Sequence, residues 1–243
     1  MVRFFVDQDE FSAELFTLRG ENAQHAKVLR LKQGEEVIVC DGQGNECICR
    51  IMDIQNGALS VQVLHRQASS TEASVQVYVY MAFPKGDKLE HVIQKATELG
   101  AYEIVAFPSA RCVSKPDDKS LKKKVERWQK IAASAAEQSG RGRIPNVRVL
   151  PSFAAALQQA SSADKALMFY ENEHATTLKM ALEPGGYKTV SLLTGPEGGL
   201  EEIEVMQARE AGLQICTLGS RILRCETAPL CALSAVMYAA GEF

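Results

Sequence analysis

The sequence predicts an α/β protein in which a small all-β domain precedes a parallel sheet flanked by helices, and three observations predict it. Before about residue 70 the apolar residues alternate with period two, whereas after it short apolar runs alternate with stretches of helical spacing. In the second half, two glycine-bearing loops each follow an apolar run and lead into a helical pattern. The chain of 243 residues is 46% hydrophobic but only 7% aromatic, so it can hold one large or two ordinary domains, and its Ala-rich character favours helices on a sheet over an all-β fold.

Taken in order, residues 36–40, 46–51 and 58–64 read as short antiparallel strands of a small barrel or sandwich. Between them, Asp41-Gly-Gln-Gly-Asn45 and Gln55-Asn-Gly57 carry hairpin-turn chemistry. The polar segment 67–72 lacks periodicity and reads as a linker, which divides the chain into domains 1–70 and 71–243. A strand at 75–83 follows, and then Leu89, Val92, Ile93, Ala96 and Leu99 at helical spacing, stopped by Gly100. Strands at 103–107, 166–169, 189–193 and 213–217 alternate with helices at 121–137, 153–159, 201–211 and 228–240, the signature of a parallel sheet.

Net charge is -3, yet the charge is uneven. Between Arg111 and Arg148 there are eleven Lys/Arg against four Asp/Glu, so a basic surface is expected on a mildly acidic protein. Lys122-Lys-Lys124 lies in this stretch and reads equally well as a nucleic-acid contact or a solvated helix face. The seven cysteines show no paired zinc spacing and read as reduced, apolar thiols, so no metal is expected. Cys225 could be a nucleophile only with a partner base, and none of the four histidines is placed by sequence to serve it. With no signal-peptide core and no membrane-length apolar run, a cytoplasmic protein with no membrane association is expected.

The chemistry concentrates in Leu193-Thr-Gly-Pro-Glu-Gly-Gly-Leu200 and Leu218-Gly-Ser-Arg-Ile-Leu-Arg-Cys-Glu-Thr-Ala-Pro229. Both loops fall at the carboxyl ends of expected strands, where ligands collect in open α/β sheets. Glycines there let the backbone press against a flat ligand. Glu201 and Glu202 would crowd the following helix N-terminus and argue against phosphate. No GxxxxGK[ST] occurs, and Gly42-Gln-Gly44 sits in a first-domain hairpin without the third glycine of a dinucleotide fingerprint.

These loops resemble the signature of the SPOUT methyltransferases, and more narrowly the family that methylates N3 of a uridine in 16S ribosomal RNA. Met1-Val-Arg-Phe-Phe5, Val28-Leu-Arg-Leu31, Pro84-Lys-Gly-Asp-Lys-Leu-Glu90, Gln94-Lys-Ala-Thr-Glu-Leu-Gly100, Trp128 and Glu137-Gln-Ser-Gly-Arg141 follow the family in order over nearly the whole chain. The resemblance implies a PUA-like β-barrel that binds RNA over residues 1–70, and a methyltransferase domain over 71–243 whose C-terminal part forms a trefoil knot around S-adenosylmethionine. It implies cofactor contacts at Leu193, Thr194, Gly195, Glu197, Gly199, Leu218, Gly219, Ile222, Leu223 and Arg224, a homodimer, and 16S rRNA or the small ribosomal subunit as partner. Ser109-Ala-Arg111 departs from the family's usual Ser-Glu-Arg.

N3 of uracil is a poor nucleophile until its proton leaves, so orientation and stabilisation of the anionic base should dominate catalysis. Arg224, in the second loop, is the expected catalytic residue, with an ion pair to Glu226 or Glu197 as its structural alternative. For RNA contact, Arg3, Arg30, Lys85, Arg111, Arg141 and Arg143 are the expected residues, because Arg suits bidentate phosphate binding and base stacking. Neither loop supplies a proton acceptor. Another RNA methyltransferase of the superfamily, a non-catalytic RNA-binding or ribosome-assembly protein, and a phosphate-dependent nucleotide enzyme remain the alternatives.

Overall fold

The computed structural model describes residues 1–55, 57–113, 118–183 and 185–243; Asn56 of the expected second turn lies outside them. The chain forms two compact units, residues 1–72 with 136–144, and residues 73–135 with 145–243.

In the first unit the order is β1 (Arg3–Phe5), α1 (Gln8–Phe11), β2 (Leu15–Leu18), α2 (Gly20–Val28), β3 (Glu36–Cys40), β4 (Asn45–Gln55) and β5 (Ala58–Ala68). The five strands form one sheet in the order β1-β3-β4-β5-β2. Two expectations are corrected here. The central strands are not short, since β4 and β5 run for 11 residues each. Nor is every pair antiparallel, because β1 runs parallel to β3, as the long excursion through α1, β2 and α2 permits. Register shifts at Ile48/Cys49 and Ile51/Asp53 interrupt the β4–β5 ladder, and such bulges bend a sheet. The alternating inward residues Val37, Val39, Cys47, Cys49, Ile51, Leu59 and Val61 pack with Phe4, Phe16, Leu18 and the small face of α2, Ala23 and Ala26.

The expected linker is also corrected, because β5 extends to Ala68 and Glu72 is tied down. Glu72 accepts hydrogen bonds from Arg141 Nη2 at 2.7 Å and from the backbone N–H groups of Gly142 and Arg143 at 2.9 and 3.0 Å. Gly142 is obligatory in this clasp, since a Cβ there would lie 2.4 Å from Ser69 Cβ.

The second unit contains β6 (Gln76–Ala82), α3 (Lys88–Glu98), β7 (Glu103–Phe107), α4 (Asp118–Ser139, entering the first unit at its end), β8 (Asn146–Val149), α5 (Phe153–Ala160), β9 (Lys165–Phe169), α6 (Leu178–Leu182), β10 (Thr189–Thr194), α7 (Glu202–Glu210), β11 (Gln214–Cys216) and α8 (Thr227–Ala239). Its sheet has the order β11-β9-β10-β6-β7-β8 and every pair is parallel. Central strands of such sheets are buried on both faces, which is why β6 and β10 read as nearly continuous apolar runs. With all strands parallel, the loops after β6, β7, β9, β10 and β11 emerge at one edge.

Candidate active site

A cleft of ≈ 540 Å³ opens at that carboxyl edge, bounded by the segments that leave β9, β10 and β11. Its size suits a ligand of nucleoside dimensions. Of the cofactor positions expected from sequence, Thr194, Gly195, Glu197, Gly199, Leu218, Gly219, Ile222, Leu223 and Arg224 line it. Leu193 does not; it is fully buried within β10.

The glycines of the first loop answer three separate close approaches. A Cβ on Gly195 would stand 2.9 Å from Leu200 Cγ and 3.2 Å from the Gly199 carbonyl carbon, so the loop closes on itself only without it. A Cβ on Gly198 would meet Arg111 Cβ at 3.2 Å. Gly199 has φ +69°, and its missing Cβ leaves room for Glu171 Oε1, 2.3 Å from that position. Glu171 follows β9, was not singled out by sequence, and lines the cleft.

Beyond the loop, Glu204 in the first turn of α7 reaches back to the N–H of Glu201 at 2.9 Å and also accepts the N–H of Ala110 at 2.9 Å. The helix N-terminus is thus occupied by carboxylates of the chain itself. The contact at Ala110 is through backbone, so its side chain is not needed for this tie.

Lys88 joins the two loops, and it too escaped the sequence reading. Its Nζ lies 3.0 Å from Glu197 Oε1, 3.5 Å from Glu226 Oε2 and 3.8 Å from Cys225 Sγ. Glu197 Oε1 also accepts the Lys85 N–H at 2.9 Å. Burial pulls the Glu197 carboxyl upward, but hydrogen bonds from backbone and from Lys88 outweigh it and hold it below the usual carboxylate range. The hydrogen bond to Glu197 raises the Lys88 ammonium above its ordinary value. Burial, with the neighbouring carboxylates, pushes the Cys225 thiol up to about 12, which removes it as a nucleophile at neutral pH.

Arg224 is exposed on the second loop and makes no ion pair among the described residues; Lys88 takes the place at Glu197 and Glu226 that the structural alternative gave to Arg224. The cleft therefore presents carboxylates, Glu171 and Glu197, from one set of segments and guanidinium groups, Arg221 and Arg224, from another. A ligand bearing both cationic and anionic groups fits such a lining.

Of the residues expected at RNA, Arg30, Lys85 and Arg111 are exposed. Arg111 Nη1 also donates to the Gly198 carbonyl at 3.0 Å, steadying the first loop. Two expectations are corrected. Arg3 is only 9% exposed, with Nη1 2.6 Å from Glu46 Oε2 and 2.9 Å from Cys40 Sγ. Arg141 is buried against Glu72. Both cations are consumed inside the first unit. Arg143 is half-buried, with its guanidinium on the Gln43 carbonyl.

This fold matches a family model described as an RNA methyltransferase domain over residues 71–237, and a second, described as an RNA methyltransferase PUA domain, over residues 18–64. A Bacillus subtilis protein named ribosomal RNA small subunit methyltransferase E is 40% identical over 98% of this chain and 96% of its own length. The chain belongs to the ribosomal RNA small subunit methyltransferase E family. A crystal structure of the Neisseria gonorrhoeae ribosomal RNA small subunit methyltransferase E bound to S-adenosyl methionine superposes with a TM-score of 0.85 at 33% identity, covering 98% of this chain and 97% of that one. A Legionella pneumophila methyltransferase, solved in complex with the cofactor, gives a TM-score of 0.83 at 28% identity over 98% and 97% of the two chains. In the terms of the methyltransferase E family, β3, β4 and most of β5 fall in the PUA region and the cleft falls wholly in the methyltransferase domain.

Proposed function

We propose that this protein transfers a methyl group from S-adenosylmethionine to N3 of a uridine in 16S ribosomal RNA. The observation that carries the reading is the cleft closed by two glycine loops at the ends of β10 and β11, with acids and arginines in its lining, in a chain of the methyltransferase E family. Backbone groups of Gly195 to Gly199 and Leu218 to Leu223 would hold the flat adenine. Glu171 and Glu197 suit the cationic groups of the cofactor, and Arg221 or Arg224 its carboxylate. S-adenosylmethionine supplies the electrophilic methyl group.

The chain's own task is to present the uracil and favour loss of its N3 proton. Arg224 is exposed at the cleft and unpaired among the described residues, so it is the group proposed to face the anionic base, where a cation placed in advance lowers the barrier. Arg30, Lys85 and Arg111 are proposed as RNA contacts. The C-terminal part, from β10 through α8, is proposed to be knotted.

A homodimer is proposed from the apolar side chains that one copy leaves uncovered in the second unit, with Ile222 88% and Tyr238 75% exposed. Light scattering of the purified protein tests it. No helix among the described residues is long and apolar enough to cross a membrane, and the seven cysteines are free thiols, which supports a cytoplasmic location.

The experiment that tests the activity is incubation of the protein with S-adenosylmethionine and either 16S rRNA or small subunits, followed by nucleoside mass spectrometry. N3-methyluridine is the expected product. A ribose-methylated nucleoside would transfer the reading to the superfamily alternative, and no product on either substrate would overturn it.

A further inference from the structure

The Lys122-Lys-Lys124 run belongs to a longer basic face of α4 that no part of the proposed cleft uses. Helix α4 buries Trp128, Ala132, Ala135 and Ala136. At 100° per residue, Lys119, Lys123 and Lys130 fall on the opposite side and Lys122 on its flank, and all four are exposed. Arg127 borders them and is paired with Glu90 at 2.6 Å. The four lysines make no ion pair among the described residues, although Glu126 lies within helical reach of Lys122, Lys123 and Lys130. From residue 119 to residue 130 the stripe is about 16 Å long at 1.5 Å per residue.

We propose that this face of α4 docks the sugar-phosphate backbone of the RNA substrate, independently of sequence. The proposal rests on the RNA-methylation reading above. Lysines are point charges without the planar fork that reads bases, so they serve phosphate attraction rather than base choice. No large apolar side chain is exposed between residues 119 and 130, so the stripe lacks the apolar anchors of a membrane-surface helix. Glu126 is the one acid on the face, and it divides the field that RNA would meet.

Two variants of the full-length protein test it with opposite signs, using a 16S rRNA transcript as probe and measuring affinity across a salt series. The triple substitution Lys119→Gln, Lys123→Gln, Lys130→Gln should weaken binding and make the log-affinity against log-salt slope shallower by about 2, at about 0.7 to 0.9 for each phosphate no longer neutralised. Glu126→Lys should tighten binding and steepen the slope by up to about 1. S-adenosylmethionine affinity and circular dichroism should be unchanged in both, which separates the effect from misfolding. If wild type binds and methylates the transcript while both variants keep its slope, the stripe is only a solvated face and the methylation reading stands. If wild type neither binds nor methylates the transcript or assembled small subunits, the methylation reading fails and the stripe falls with it.

Discussion

Lys88 stands between carboxylates of two different glycine loops, 3.0 Å from Glu197 and 3.5 Å from Glu226. It is supplied by the start of α3, so one ammonium spans the mouths of two loops that the sequence separates by β11 and α7. Its removal would leave Glu197 and Glu226 to repel each other across the cleft rim.

Lys88→Met should therefore raise the dissociation constant for S-adenosylmethionine by about 3- to 10-fold, the scale of a partly exposed ion pair with two acceptors, and Lys88→Arg should recover part of it. Calorimetric titration checks this, and the difference from wild type should shrink at high salt. The pH window follows from the shifts. Glu197 and Glu226 are depressed, so their contribution is present above the ordinary carboxylate range and lost as pH falls through their folded values. Lys88 is raised, so its contribution is present below the ordinary lysine value and lost only as pH rises through the folded one. Cofactor affinity should be flat through neutrality where these groups alone are concerned. Equal affinity of wild type and Lys88→Met at low salt would refute the bridge.

Gly199→Ala tests the first loop. At φ +69° an added Cβ brings strain of about 1–2 kcal/mol and displaces the Glu171 carboxylate from the place it occupies. Cofactor affinity should fall by about tenfold or more while the protein stays folded. Gly195→Ala should also weaken the site, because its Cβ would meet Leu200 Cγ at 2.9 Å and the Gly199 carbonyl carbon at 3.2 Å, neither of them the free end of a flexible side chain. Calorimetry alongside thermal melts separates the two losses.

Arg224→Ala should reduce turnover by about a hundredfold or more, the scale of removing one preorganised stabiliser of developing negative charge. Its thermal midpoint should stay near that of wild type, since the side chain holds no ion pair among the described residues. Single-turnover methylation at saturating cofactor is the measurement, and an undiminished rate would exclude Arg224 from catalysis.

The sequence marked β3 to β7 and β9 to β11 through their apolar runs or alternation, and α3, α4, α5, α7 and α8 through helical spacing. The elements it did not mark are short or weakly apolar. β8 buries only Val147, α2 buries only Ala23 and Ala26, and α6 spans five residues. The two glycine loops were legible because glycines cluster at the ends of apolar runs, although only Gly195 answers a demand within its own loop, while Gly198 and Gly199 make room for the distant Arg111 and Glu171. Lys88 and Glu171 were not, because their roles exist only through partners distant along the chain. Arg3 and Arg141 were misread for the same reason: sequence shows a cation but not the carboxylate, Glu46 or Glu72, that folding brings to it.

Gly142→Ala should destabilise the protein by about 1–3 kcal/mol, the usual cost of forcing atoms into a filled site. The obstruction is Ser69 Cβ at 2.4 Å, so Ser69→Gly in the same chain should restore much of the loss. Denaturant melts of the two single variants and the double variant form the cycle. Additive losses would mean that the two residues do not meet as described.

Arg3→Met should act on stability rather than on RNA affinity. In wild type, burial pulls the Glu46 carboxyl upward, but hydrogen bonds from Gln67 and Arg3 outweigh it and the net shift is downward. The contribution of the pair is therefore present above the ordinary carboxylate range and lost as pH falls through the folded value of Glu46. Removing Arg3 leaves a carboxylate that is 3% exposed without its cation, at a cost of about 3–5 kcal/mol near neutral pH. In the variant the hydrogen bond and charge of Arg3 are gone while the hydrogen bonds from Gln67 and Ser69 remain, so the Glu46 carboxyl rises from its wild-type position and the variant should lose less stability than wild type as pH falls. Thermal midpoints of wild type and Arg3→Met measured from pH 3 to pH 8 should thus converge toward the acid end. A constant gap across that range would show that Arg3 acts through packing alone, and a variant as stable as wild type but deficient in RNA binding would return Arg3 to the RNA-contacting surface.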